Sequence, residues 1–433
     1  MWTAKSAPGF AIARYLPSTA PPGATIPAER KGAQAMATLL ESSSSGVSHE
    51  VLDRIDALLD GFRERAQETE DLRKVHPKNI EELEEAGFFK LVQPKQWGGY
   101  EADMEVFYTA ARNIASACPS TGWCASIVGI HNWHLALFPQ QAQEDVWGKD
   151  PNVRISSSYA PMGAAKKTEK GLVLDGRWSW SSGCQHASWV FVGGPVLDEN
   201  DKMVDFCTFL VEGDQYEIDD VWHVAGLKGT GSNDIVVKDA VIPEHRVLSF
   251  GDMGKGTSPG LERNDNPIYK MPWGTVHPTT ISTPIVGMAF GCYDVHREHQ
   301  RDRVRAAFGT KVKDDPFAKV RLAEAAGDID AAWLQLMRNV REEQELVENG
   351  DTPNMDLRTR ARRDQVRATQ RSIDAIGLLF QNSGARALQD TSPIQRFWRD
   401  ANAGRVHAAN EATKAFISYG QNEFGEKVTD SMV

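Results

Sequence analysis

Apolar residues recur every three or four positions from residue 48 onward, and this spacing predicts amphipathic helices. In the first segment Val51, Ile55 and Leu59 share one face, with charged residues between them. The second segment opens with a proline and closes with a glycine, the usual signals of helix ends. The helices predicted in this region are 48–62, 77–85, 104–117 and 121–137. We therefore expect an all-helical N-terminal domain over 47–150.

The hydrophobic period changes after residue 150. Short runs rich in Val, Trp, Phe and Ser alternate with turn clusters such as Asp175-Gly176 and Gly193-Gly194, which is typical of antiparallel strands. The predicted strands are 153–159, 171–181, 187–196, 205–212 and 234–242. A β domain is expected over 151–245, followed by a linker or loop over 246–278.

Helical periodicity returns in the C-terminal third of the chain. Each long segment carries an apolar stripe, as Ile373, Ile376 and Leu379 show. The segments are 280–308, 315–348, 356–383 and 393–419. The predicted fold class is α+β, with an N-terminal helical domain, a middle antiparallel β domain and a C-terminal four-helix bundle over 279–433.

Residues 1–46 lack this periodicity. Pro, Ala, Ser and Gly dominate the segment, and it ends in the run Ser42-Ser43-Ser44-Ser45. Too few apolar residues recur to offset the entropy lost on ordering a chain. We expect a disordered tail, and Met36 leaves a later natural start open.

Charge and cysteine content exclude several classes of protein. The 433 residues include 48 Lys and Arg against 59 Asp and Glu, a net charge of −11, which argues against a nucleic-acid partner. No apolar run is long enough to cross a bilayer and no secretory signal opens the chain, so a cytoplasmic protein is expected. The five cysteines are odd in number and contain no C-x-x-C pair, which favours buried reduced thiols.

Common catalytic motifs are absent or misplaced. Neither a G-x-G-x-x-G after a strand nor a P-loop occurs, so no nicotinamide or triphosphate site is predicted. The G-x-S-x-G at 256–260 lies in a polar loop with Pro259 directly after the serine, unlike a nucleophile elbow. His296 and His299 lack the carboxylate partners of a helical metal site, so no metal is expected.

Three segments are richer in aromatic, hydroxyl and imidazole side chains. One helix carries Trp123 and His131, and a late segment carries His407. The predicted strands add Ser157, Ser158, Tyr159, Trp180, Ser181 and Ser182. Aromatic faces with hydroxyl groups suit a flat polar heterocycle. Ordinary packing, solvated strand edges and a structural histidine explain the same residues, and the pattern alone leaves both interpretations open.

In this order, the segments resemble the acyl-CoA dehydrogenase fold over about residues 48–433. The resemblance rests on motifs that are specific in combination: Gly226–Asn233 before Val241-Ile242-Pro243, Arg305–Gly309, Gln381–Arg386 and Arg399-Asp400-Ala401. It implies that Arg305 holds flavin phosphate across a subunit interface. It also implies that Ala385 and Arg386 contact the flavin.

One difference from the acyl-CoA dehydrogenase sequence pattern indicates a particular branch of that fold. Many of the dehydrogenases carry a Glu shortly after Arg-Asp-Ala, but this chain reads Val406-His407-Ala408, and Glu411 comes three residues late. This fits the two-component flavin-dependent phenol monooxygenases. The resemblance is strongest to members from actinobacterial steroid degradation, through Ile155–Gly163, Trp180–Gly183, Lys270–Gly274 and Gln395–Asp400.

The resemblance implies ortho-hydroxylation of a bulky phenol, such as a seco-steroid phenol, to a catechol. Reduced flavin, FMNH2 or FADH2, would come from a separate NADH-dependent reductase, O2 would be the co-substrate, and a homotetramer follows by analogy. Alternatives are an acyl-CoA dehydrogenase-like flavoenzyme, a non-catalytic flavin-binding scaffold and a hydroxylase of smaller phenols.

The same resemblance implies roles for individual residues. Ser182 would lie near the flavin N5 edge as a catalytic group, and His407 would remove the phenol proton. His131 and Ser157 would face the substrate. The implied flavin contacts are Trp123, Ser157, Ser158, Tyr159, Trp180, Ser181, Ser182, Arg305, Ala385, Arg386, His407 and Ala408.

Overall fold

The computed structural model describes residues 47–301, 303–304, 309, 311–430 and 432–433. Helices come first along this part of the chain, as predicted. They are α1 (Glu50–Glu64), α2 (Ala66–Asp71), α3 (Pro77–Glu85), α4 (Met104–Ala117), α5 (Pro119–Leu135) and α6 (Gln140–Trp147). Every residue of α4 and α5 is buried, so this helix pair forms the centre of the N-terminal region. The tail predicted over 1–46 lies outside the described residues.

One mixed sheet follows the first helices. Its strands are β1 (Ile155–Ser158), β2 (Gly163–Thr168), β3 (Gly171–Ser181), β4 (Trp189–Leu197), β5 (Met203–Glu212), β6 (Tyr216–Asp219), β7 (Asn233–Ile242) and β8 (Val247–Ser249). The order is β6-β7-β3-β2-β4-β5-β8, and β1 pairs with β4 beside this path. Because β4 is parallel to both β1 and β2, the prediction of a wholly antiparallel domain was wrong in this respect. Hydrophobic alternation marks a strand but does not give the direction of its partner.

Further helices, most of them long, complete the described chain. They are α7 (Phe250–Lys255), α8 (Trp273–Arg301), α9 (Pro316–Glu348), α10 (Met355–Ser383), α11 (Pro393–Arg405) and α12 (Ala412–Glu423). Helix α8 packs against α4 and α5 on one side and against α10 on another, so it joins the two helical regions. It begins well before the predicted 280, within the expected linker, although Pro278 and Pro284 lie inside it.

The helix predicted over 393–419 is interrupted, and His407 lies in the interruption. His407 has an extended backbone, and its own Nδ1 accepts a hydrogen bond from Ala409 N. Glu411 then caps α12 by accepting from the backbone N–H groups of Thr413 and Lys414. These side chains replace helical hydrogen bonds with local ones, and so end one helix and start the next. The apolar pattern did not reveal this competition.

A charged cluster holds the loop between β6 and β7 against α11. Glu70 forms ion pairs with Arg396 and Arg399, at 3.2 and 2.8 Å. The Arg399 guanidinium also donates to the carbonyl of Ala225 at 2.7 Å, and the backbone N–H of Leu227 donates to Asp400 at 2.6 Å. The backbone of the loop is therefore held by side chains of α11, which Glu70 in turn holds in place.

Among the described residues, none of the helices has the combined length and apolar character needed to cross a bilayer. All five cysteines are buried.

The close approach of α4 and α5 gives a prediction. A Cβ atom at Gly122 would lie 2.3 Å from the Cα of Ala115, so Gly122→Ala must push the helices apart. We expect a loss of about 1–3 kcal/mol in unfolding free energy, measured as a lower melting temperature. Gly327→Ala is the control, because that exposed position in α9 has nothing within 4 Å and should gain helix propensity. Equal melting temperatures for Gly122→Ala and wild type would contradict the packing described.

Candidate active site

Rings from four separate segments meet between α5, the end of β1, the start of α8 and the break after α11. The Tyr159 ring centroid lies 6.3 Å from that of His131 and 5.3 Å from that of His277. His277 lies 6.4 Å from His407, which in turn lies 6.0 Å from Trp123. These five side chains form a continuous row, which we call the ring cluster.

His277 is a member of the ring cluster that the sequence analysis missed. Its ring stacks on Trp273 with centroids 4.6 Å apart and an interplanar angle of 9°. Burial holds the pKa of His277 well below its usual value, and the neighbouring His407, His131 and His134 lower it further. Trp273 and His277 are one helical turn apart, a spacing that could have signalled a shared face once α8 was known to begin at Trp273.

Hydrogen bonding fixes which nitrogen of His131 carries the proton. The Nδ1 atom lies 2.6 Å from the carbonyl oxygen of Ile155, which can only accept, so Nδ1 is the protonated nitrogen. The Nε2 atom is buried and has no hydrogen-bond partner among the described residues. Burial lowers the pKa of His131 to about 4, so the ring is neutral near pH 7. His131 therefore offers a lone pair at Nε2.

His407 has the opposite proton arrangement. Its Nδ1 accepts from the backbone N–H of Ala409 at 3.1 Å, so in the neutral ring the proton is on Nε2. Burial, with a smaller effect from Arg362, lowers the pKa of His407 to about 4. His407 therefore offers a hydrogen-bond donor, whereas His131 offers an acceptor.

His134 holds Tyr159 in the ring cluster. Its Nδ1 lies 2.7 Å from the Tyr159 hydroxyl, and its Nε2 is buried without a partner among the described residues. Burial raises the pKa of Tyr159, so its hydroxyl stays protonated at neutral pH. Phe191 packs against both His131 and His134 and closes this end of the cluster.

The predicted serines lie on the sheet side of the ring cluster. Ser182 accepts from Trp123 Nε1 at 3.1 Å, which ties the residue directly after β3 to α5. Ser158 donates to the carbonyl of Ser179 at 2.8 Å. Ser157 is buried, and the buried Ser181 hydroxyl has no partner among the described residues.

The structure places other predicted residues at the surface of the chain. Trp180 is 67% exposed and has a φ of +72°, a strained value for a residue with a side chain. Ala385, Arg386 and Ala408 are exposed as well. Arg305 lies outside the described residues.

The donor set of the ring cluster fits a flat heterocycle with polar edges. The cluster consists of indole, phenol and imidazole rings, and His131 Nε2 within it is a buried polar atom without a partner among the described residues, as is Ser181 Oγ at the end of β3. Such atoms require a ligand or water to satisfy them. A flavin ring has this combination of an apolar face and hydrogen-bonding edges.

Comparisons with known proteins agree with this chemistry. Residues 49–150 match the acyl-CoA dehydrogenase N-terminal domain, and 279–412 match its C-terminal domain. The flavin-dependent monooxygenase oxygenase subunit HsaA of Rhodococcus jostii is 62% identical over 383 residues, 88% of this chain and 100% of that protein. The chain belongs to the oxygenase components of the flavin-dependent monooxygenases.

Further relatives in this family support the assignment. HsaA of Mycobacterium tuberculosis is 59% identical, over 88% of this chain and 97% of its own length. The crystal structure of 3-HSA hydroxylase from Rhodococcus sp. RHA1 matches with a TM-score of 0.87 and 62% identity, covering 89% of this chain and 99% of that one.

Family membership decides several predictions made from the sequence. The acyl-CoA dehydrogenase-like fold, the monooxygenase class and the flavin cofactor are confirmed. The alternatives of a dehydrogenase-like enzyme and of a non-catalytic scaffold are set aside. An oxygenase component works with a separate flavin reductase, so that partner is established as a class. The roles of individual residues stay predictions.

Buried neutral histidines predict acid sensitivity. His131 and His296 each have a pKa of about 4, whereas an unfolded histidine has about 6.5. Between these values the unfolded chain binds more protons, so stability is lost as pH falls from about 6.5 to 4. Each group removes up to about 3 kcal/mol. We expect the melting temperature of the wild type to fall as pH is lowered over this range, and that of His131→Gln to fall less steeply. An equal pH dependence in the wild type and the variant would contradict the burial of His131 as a neutral ring.

Proposed function

We propose that this enzyme hydroxylates a bulky phenol ortho to its hydroxyl group and releases a catechol. A seco-steroid phenol, which the sequence resemblance implies, is the proposed substrate, and the 62% identity to the 3-HSA hydroxylase of Rhodococcus sp. RHA1 supports a related substrate. Reduced flavin and O2 are the proposed co-substrates. The observation that carries the proposal is the buried His131 Nε2 lone pair in the ring cluster, which has no partner among the described residues, because a phenol hydroxyl can donate to it.

The proposed flavin site joins the ring cluster to the sheet. Bound reduced flavin supplies the activation of O2, and the protein orients the reactants and excludes water. The residues proposed to hold it are Trp123, Ser157, Ser158, Tyr159, Trp180, Ser181, Ser182, Ala385, Arg386, His407 and Ala408. Arg305 is proposed to hold its phosphate. The exposure of Trp180, Ala385 and Arg386 in the single chain supports a site completed by neighbouring subunits, in a proposed homotetramer.

We assign removal of the phenol proton to His131. A phenol has a pKa near about 10 and is a weak nucleophile until the proton begins to leave. His131 Nε2 can accept that proton while Nδ1–H remains on the carbonyl of Ile155, so the ring keeps its orientation. The ring is neutral at pH 7, so the Nε2 lone pair is unprotonated. Ser157, from the adjacent strand β1, is the proposed second substrate contact.

This assignment revises the role predicted for His407. The Ala409 N–H occupies Nδ1, and Nε2 already carries the proton of the neutral ring. His407 therefore has no free lone pair with which to take another proton. We propose that His407 donates a hydrogen bond from Nε2 to an oxygen atom of the bound substrate.

The two histidine roles predict different responses to pH. His131→Ala should lower hydroxylation by about 10²–10⁴ at pH 7, with partial recovery as pH rises toward the phenol pKa, because solution then supplies the phenolate. His407→Ala should also lose product but should not recover, because no base is missing. The pH responses of both variants are measured as catechol formed per NADH consumed, from pH 6 to 10, with a flavin reductase present. Exposed His223→Ala is the control; recovery in His407→Ala alone would reverse the assignment.

The isolated chain should not oxidise NADH. It contains no dinucleotide-binding fingerprint, and we expect electrons to reach the site through reduced flavin made by a separate reductase. Adding a flavin reductase should give NADH-dependent conversion of a seco-steroid phenol to a catechol, followed by absorbance at 340 nm and by product analysis. Sustained NADH turnover by the purified chain alone would contradict the proposal.

A further inference from the structure

A chain of buried hydrogen bonds runs from Trp123 through Ser182 into the loop before β7. Trp123 Nε1 lies 3.1 Å from Ser182 Oγ, and Ser182 Oγ lies 2.8 Å from Ser232 Oγ. Ser232 Oγ lies 2.7 Å from Thr230 Oγ1, which donates to the carbonyl of Leu227 at 2.9 Å. The three hydroxyl groups belong to side chains that are 6%, 3% and 1% exposed. Bulk water therefore does not compete for these bonds.

The two end groups of this hydrogen-bond chain, the Trp123 indole and the Leu227 carbonyl, determine the direction of every bond in it. A carbonyl oxygen can only accept, so the single hydroxyl proton of Thr230 points to Leu227. Ser232 must then donate to Thr230, which leaves its lone pairs for Ser182. At the other end the Trp123 indole N–H can only donate. Ser182 consequently accepts from Trp123 and donates to Ser232.

The Leu227 carbonyl, at which the hydrogen-bond chain ends, cannot easily rotate away from Thr230. Leu227 adopts a left-handed backbone with φ of +53°, and its N–H donates to Asp400 at 2.6 Å. Its carbonyl also accepts from Trp222 Nε1 at 2.8 Å. This carbonyl is therefore held facing Thr230, and the direction of the whole chain is built into the fold.

With its proton directed to Ser232, Ser182 has only one lone pair left for a ligand. We propose that Ser232 and Thr230 are positioning residues that make Ser182 an obligate hydrogen-bond acceptor, and that the site thereby selects reduced over oxidised flavin. This inference rests on the proposed flavin site and on the position at the flavin N5 edge that the family resemblance implies for Ser182. Ser232 and Thr230 act through Ser182 and need not touch the flavin themselves.

The selection follows from the chemistry of the flavin ring. The N5 nitrogen carries a hydrogen in reduced flavin and is a bare acceptor in oxidised flavin. Reduced flavin can donate to Ser182, whereas oxidised flavin would place two lone pairs against each other. A site built to accept a hydrogen bond rejects a ligand that lacks the donor, because buried polar groups are then left unpaired. One such bond corresponds to a preference of about tenfold or more.

Anaerobic titrations of the full chain with FMN and FAD, each reduced and oxidised, test this inference. In Ser232→Ala the Ser182 proton loses its acceptor and becomes free to donate to the bare N5. The ratio of the oxidised to the reduced dissociation constant should fall about tenfold, mainly through tighter oxidised binding. Thr230→Val should shift the ratio in the same direction, because the Ser232 proton can then turn toward Ser182. Ser182→Ala should instead weaken reduced binding about tenfold, because the N5–H loses its acceptor, and should tighten oxidised binding less than Ser232→Ala does, because no donor to N5 is gained.

Ser418→Ala is the matched control. This buried serine in α12 donates only to the carbonyl of Lys414, and its loss should leave the ratio unchanged. Melting temperatures identify folded variants, and general damage to the site would weaken both flavin states rather than tighten one. An unchanged ratio in whichever of Ser232→Ala and Thr230→Val is folded would overturn the inference while leaving the proposed function standing. If the wild-type protein binds neither FMNH2 nor FADH2, the inference and the proposed function are both overturned.

Discussion

The hydrogen bond between His131 Nδ1 and the carbonyl of Ile155, 2.6 Å long, joins helix α5 to strand β1. In water an imidazole exchanges its proton freely between the two nitrogens, but a buried ring that abandoned this carbonyl would leave it unpaired. The contact between helix and sheet therefore decides where the proton resides. At His407 the N–H of Ala409 has the same effect within one segment, and at Leu227 the carboxylate of Asp400 holds the backbone. Proton positions in the site are thus consequences of backbone contacts, between elements at His131 and local at His407.

Hydrophobic periodicity was sufficient to predict the elements that bury a continuous face. The helix over 77–85 and the strand over 171–181 lie where their patterns place them. Periodicity failed for β2, β6 and β8, because the first two carry charged residues on exposed positions and the third is only three residues long. It also failed at 406–411, where side chains of His407 and Glu411 compete with helical hydrogen bonds.

The residues of the candidate site were likewise predicted in part and missed in part. Trp123, His131, Tyr159 and His407 were predicted, and the structure brings their rings together. His277 was missed because the expected linker concealed the start of α8, and a helix face cannot be read before its register is known. The difference between His131 and His407 was also beyond the sequence, because it depends on which backbone group each Nδ1 meets in three dimensions. Residue type and spacing carry no information about a tautomer.

The interruption between α11 and α12 also bears on how such enzymes diverge. Residues inside a long packed helix are constrained by the hydrogen-bond ladder and by neighbours on both sides, so a new side chain there disturbs the bundle. Positions 406–408 lie outside that ladder, and both Val406 and Ala408 are exposed. A side chain at these exposed positions can therefore change while the surrounding helices keep their packing. One scaffold can in this way acquire different chemistry by small steps, each of which remains foldable.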